Sequence, residues 1–163
     1  MGRINYDPIA GLQRLGEARA QLDERAGAIL TYHAALEREI DIVLARLLPR
    51  SDKLRGLGYG HKLSVLNAAW RGLDEAGDML CDALFRFNEL RNAVAHGDRA
   101  HEVDQKLALL AEAFDKILPG HADIRDVAPI AAGLVGFLAD GPLEAEHLKI
   151  PAARAENDQS AAE

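Results

Sequence analysis

Residues 22–50 read LDERAGAILTYHAALEREIDIVLARLLPR. Within them Leu22, Ala26, Ile29, His33, Leu36, Ile40, Val43 and Leu47 recur at alternating spacings of four and three. That rhythm keeps one apolar or small stripe on a single helix face over about seven turns. The helix should stop at Leu48-Pro49, because the residue before a proline avoids the helical region. Upstream, Pro8 to Gln21 is helix-compatible, with Leu12 and Leu15 apolar, either as a separate helix or as an extension.

Downstream, Arg50 to Gly60 is punctuated by Gly56, Gly58 and Gly60 and reads as a loop. A short helix over Lys62–Arg71 carries Leu63, Leu66 and Trp70. A third main helix begins at Asp74 or Asp78 and runs to Ala95, with Leu80, Leu84, Phe87, Leu90 and Val94 inward. Gly97 stands where a left-handed C-terminal cap belongs. Glu102–Leu118 forms the next helix, ended by Pro119-Gly120, and a last one spans Pro129–Ala139. Alternating β-branched runs are missing, and with them any hairpin pattern around an Asn-Gly or Asp-Gly turn. The expected fold class is therefore all-α, a bundle of four to five main helices.

The chain has 163 residues, 48% of them apolar and 28% charged. Such a chain fits one domain over residues 1–150, followed by a small, polar tail at 151–163 with the composition of disorder. The formal net charge of −7 argues against an indiscriminate, avid nucleic-acid binder. That total averages a basic stretch over an acidic remainder. Residues 46–71 hold six Lys or Arg against Asp52 alone, a net +5, and Arg50, Lys53, Arg55 and Lys62 are the candidates for gripping a phosphate backbone. Tyr59 is the obvious stacking aromatic beside them.

Cys81 is the only cysteine, which excludes a disulfide framework within one chain and fits a reducing compartment. Met1–Asp7 has no secretory signature, and the apolar run 129–139 falls short of the ~20 residues that cross a bilayer. The expected location is cytoplasmic, away from membranes. His61, His101, His121 and His147 lack ligand spacing, so neither metal nor cofactor is expected. The Gly56-x-Gly58-x-Gly60 run has no strand before it and makes a poor phosphate loop.

The chemically informative segment is Leu90-Arg91-Asn92-Ala93-Val94-Ala95-His96-Gly97. Arg91 lies on the edge of the apolar stripe, where a guanidinium must be paired or must line a cleft. Asn92 and His96, four apart, share a helix face. His96 falls in the last turn, where the helix dipole favours its charged form, and imidazole is suited to proton transfer. Arg91 and His96 point roughly 140° apart on an ideal helix. One helix cannot easily aim both at one phosphate, but two copies about a two-fold axis can. A homodimer is thus expected if the motif is catalytic.

At these residues the sequence resembles the HEPN superfamily, an all-helical group rich in metal-independent endoribonucleases. Its signature is arginine, a polar residue, three further positions and histidine, matched by Arg91-Asn92-x-x-x-His96. Residues 29–48 with Gly60-His61-Lys62-Leu63 look like the branch containing mannitol-operon repressor proteins, and the resemblance covers about residues 22–118. It implies that Arg91 binds the scissile phosphate, that His96 is the general acid or base, and that Asn92 orients the histidine. RNA is the implied substrate, and a toxin or defence effector with an antitoxin or regulatory partner protein is one implied setting. Where some superfamily toxins carry a modifiable tyrosine, two residues beyond the histidine, this chain has Asp98.

Plainer roles compete with these. Arg91 can be an ion pair to a glutamate of the long helix, and His96 can be a capping histidine. His33 reads as a core or interface histidine with Glu37 one turn on as its partner, or as Arg91's. Cys81 and Trp70 read as packing residues. The rival function is a non-catalytic regulator of the mannitol-repressor type, working through protein contacts. No helix-turn-helix recognition pattern stands out.

Overall fold

A computed structural model describes residues 24–120 and 126–148, except for the side chains of 141–148. The expectations for Pro8–Gln21 and for the 151–163 tail lie outside the described residues. Five α-helices follow in order: α1 (Ala26–Leu47), α2 (Tyr59–Ala69), α3 (Asp74–His96), α4 (Ala100–Ile117) and α5 (Val127–Leu148). A short 3-10 turn, Ser51–Leu54, lies between α1 and α2. The chain is an all-α bundle, and no strand occurs among the described residues.

The stripe along α1 is the buried one: Ala26, Ile29, His33, Leu36, Ile40, Val43 and Leu47 all face inward, joined by Leu44. They meet Leu66 of α2, Leu80, Leu84, Phe87 and Leu90 of α3, Leu110 and Phe114 of α4, and Ile130, Leu134 and Leu138 of α5 in one core. Each large apolar side chain buried there contributes roughly 1.5–3 kcal/mol.

α1 runs antiparallel to α3. Arg71, just ahead of α3, donates to the Leu47 carbonyl at the end of α1 (3.2 Å). Arg25, at the start of α1, pairs with Asp104 of α4 (2.8 Å), beside the far end of α3. α3 and α4 pack as an antiparallel hairpin, and α5 lies along α1.

Element ends shift where local chemistry overrides periodicity. α2 starts three residues before the expected Lys62, since Gly58 sits extended as its N-cap and Tyr59 is anchored against His33, with ring centroids 4.4 Å apart. α3 ends at His96, one residue past the expected Ala95, under the expected Gly97 cap: Gly97 is left-handed (φ 72°), and the Asp98 and Gly97 amides close back on the Ala93 and Val94 carbonyls. This Schellman turn satisfies two orphan carbonyls and leaves His96 as the last helical residue. α4 starts at Ala100 rather than Glu102, because Glu102 reaches back to the Arg99 amide (2.9 Å). α5 starts at Val127, where Asp126 caps the Ala128 amide (2.9 Å), and continues past Ala139.

Gly77 of α3 has a packing reason. A β-carbon there would stand 2.7 Å from Cδ1 of Trp70. The indole packs against the helix at this point, with its buried N–H unpartnered among the described residues.

Candidate functional site

The last two turns of α3 carry Arg91, Asn92 and His96. Arg91 is half-buried, because it adjoins the inward stripe of Phe87 and Val94. Its Nη1 donates to Oδ1 of Asn92 at 3.0 Å. Asn92 therefore orients the guanidinium in this structure, rather than the imidazole of His96. His96 is exposed at the helix end. A single chain thus presents Arg91 toward the α1 side and His96 toward solvent.

The carboxylate expected opposite Arg91 is engaged elsewhere. Glu37 of α1 accepts from Nζ of Lys62 (3.0 Å), and Asp41, one turn on, takes the same ammonium (2.9 Å). Lys62 is only 8% exposed. Burial works to lower its pKa, but the bonds to Asp41 and Glu37 outweigh that and hold it above the ordinary lysine value. Among the described residues no carboxylate lies within ion-pairing distance of Arg91.

His33 of α1 forms the inner wall. It is 6% exposed, and its Nε2 donates to Oδ1 of Asn88 (3.1 Å), one turn before Arg91 and Asn92. Its ring lies against Tyr59 and, at 6.4 Å, near Phe87. Burial depresses the His33 pKa, the Asn88 bond opposes that, Arg91 lowers it further and Glu37 raises it. Burial also holds the Tyr59 phenol well above its ordinary range, and its hydroxyl faces the Leu84 carbonyl at 3.5 Å.

The remaining basic residues divide. Arg50, Lys53 and Arg55 are exposed around the 3-10 turn, where a cleft of about 420 Å³ is lined by Asp41, Leu44, Ser51, Arg55, Gly56 and Lys62. This cleft adjoins Asp41, eight residues beyond His33, or ~12 Å along α1. Arg91 lies on the other side of His33, toward the start of α1. Within one chain the His33–Tyr59 stack therefore separates the basic loop from the motif, and Lys62 faces inward rather than joining the exposed cations.

Asn88 and Phe85 escaped sequence reasoning. Asn88 lies four residues before Asn92 on the same helix face, a spacing that was there to be read, but its partner His33 is 55 residues away in sequence. Phe85, at 45% exposure, is the exposed ring on the Asn92–His96 face, whereas Tyr59 is turned inward. Cys81 is a packing residue whose thiol is pushed up to about 11 by burial and by Asp78.

Among the described residues no group of three or more His, Cys, Asp or Glu is placed to hold a metal ion, and no helix is long and apolar enough to cross a membrane. Comparison with known protein families, characterised proteins and solved structures returned no match.

Proposed function

We propose that this chain is a metal-independent endoribonuclease of the HEPN type, working as a homodimer. One observation carries the reading. Arg91 is a half-buried guanidinium braced by Asn92 with no carboxylate partner among the described residues, while the nearby glutamate is committed to Lys62. A partly desolvated, uncompensated guanidinium is a ready anion site, and its planar fork suits a phosphate. The plainer role of a structural ion pair loses its support.

In this reading Arg91 holds the scissile phosphate and stabilises the charge that develops on it. The RNA 2′-hydroxyl attacks phosphorus, so that an O2′–P bond forms and the P–O5′ bond breaks. A proton leaves the 2′-hydroxyl and another reaches O5′, and imidazole is the group suited to both transfers. The product is a 2′,3′-cyclic phosphate. Because Arg91 and His96 diverge on one helix, each site pairs Arg91 of one copy with His96 of the other. Action as a toxin or defence effector held by an antitoxin or regulatory protein fits such an activity.

Incubation of the purified chain with single-stranded and structured RNA in chelator tests this. Wild type should release cyclic-phosphate ends, and Arg91→Ala and His96→Ala should lose cleavage by roughly a hundredfold or more. A wild type as inert as both variants leaves the non-catalytic, protein-contacting regulator as the better account.

A further inference from the structure

His33 is a buried imidazole outside the motif, and the proposed chemistry does not use it. Its Nε2 is spent on Asn88 (3.1 Å), which leaves Nδ1 as the position able to take a proton. The charges around it are few. Glu37, one turn on along its own helix, and Arg91, one turn beyond Asn88 on α3, are the charges that act on it. α2 contributes the Tyr59 phenol, which stays neutral, and behind Glu37 the ammonium of Lys62, already shared between two carboxylates.

We propose that His33 is a proton-linked positioning residue for the Arg91 anion site: a phosphate bound at Arg91 draws a proton onto His33. This rests on Arg91 being a phosphate-binding group. In the empty site the cation at Arg91 opposes a second positive charge beside it. A bound phosphodiester cancels that cation, so a positive charge on the ring is no longer opposed from α3 and Nδ1 takes up a proton from solvent. Linkage is reciprocal, and protonated His33 must therefore tighten anion binding by the same factor. Through the Asn88 bond the charged ring stays fixed one turn from Arg91, so acidification strengthens the grip without moving the motif.

The probe is a 2′-O-methyl oligouridylate, which has no attacking hydroxyl and does not titrate near neutrality. His96 is a second imidazole in the motif, so His96→Gln serves as the background. In that protein, affinity should rise by roughly threefold to tenfold between about pH 7.5 and 5.5, with net proton uptake in calorimetry across buffers of different ionisation enthalpy. Adding His33→Gln, which keeps a donor toward Asn88, should flatten the pH profile while binding at the higher pH persists. A purely structural histidine would not change the slope. Arg91-dependent binding with no slope, or a slope that survives His33→Gln, overturns the inference and leaves the Arg91 site standing. Binding unaffected by Arg91→Ala overturns the Arg91 site itself, and the inference with it.

Discussion

Nζ of Lys62 lies 3.0 Å from Oε1 of Glu37, and with Glu37 held in this contact between α2 and α1, Arg91 has no carboxylate partner among the described residues. Lysine at position 62 is thus a structural cation, buried at the junction of two helices, despite belonging to the most basic stretch of the chain. Its pairing, the Asn92 brace on Arg91 and the Asn88 bond to His33 together organise the polar seam between α1, α2 and α3.

Lys62→Met removes the shared ammonium and leaves Glu37 and Asp41 facing each other. Both carboxylates are 40% or more exposed and can rehydrate, so the cost falls toward the lower end of about 1–3 kcal/mol. Urea unfolding at neutral pH reads this directly. Lys62→Ala should cost more, since the packed aliphatic stem is lost as well.

His33 makes stability pH-dependent with a defined sign. Its folded-state pKa lies below the ordinary 6.5, so the unfolded chain binds the proton more readily. Its contribution is complete above about pH 6.5 and is lost as pH falls below that value toward the folded-state pKa. Denaturant midpoints measured at steps from pH 7.5 to 5 should fall more steeply for wild type than for His33→Gln.

Gly97 closes α3 in the left-handed region (φ 72°). Gly97→Ala places a β-carbon in that conformation and should cost about 1 kcal/mol, a drop of roughly 2–4 °C in melting temperature for a chain of this size. Because the turn follows His96 directly, the same variant should also lower RNA cleavage.

The Cys81 thiol, held at about 11 by burial and by Asp78, is overwhelmingly protonated at pH 8. A thiol-disulfide reagent should label it slowly in the native protein and rapidly in urea. Equal rates in both states would contradict the packed position between α2 and α3.

The helices were legible because their apolar stripes are long and regular: the α1 stripe is the buried one, and Gly97 caps α3 as read. The start of α2 was obscured by Gly56, Gly58 and Gly60, which signal a loop. What extends the helix to Tyr59 is the contact of its ring with His33, 26 residues away and invisible to local propensity. Arg91 could be placed on the edge of the stripe from spacing alone. Its lack of a carboxylate could not, since spacing offers Glu37 to either His33 or Arg91, and only the packing of α2 on α1 sets Lys62 against Glu37. For the same reason Lys62 reads from sequence as a phosphate contact and Tyr59 as a stacking aromatic, although tertiary packing turns both inward.

The claim that each site takes Arg91 from one copy and His96 from the other is tested most directly by mixing the two dead variants. Arg91→Ala and His96→Ala, each alone as a homodimer, should be inactive. After exchange of subunits, half of the dimers are mixed and each carries one intact site, so the mixture should recover about a quarter of wild-type RNA cleavage. A mixture that stays as inert as either variant, beside an active wild type, would contradict the shared site.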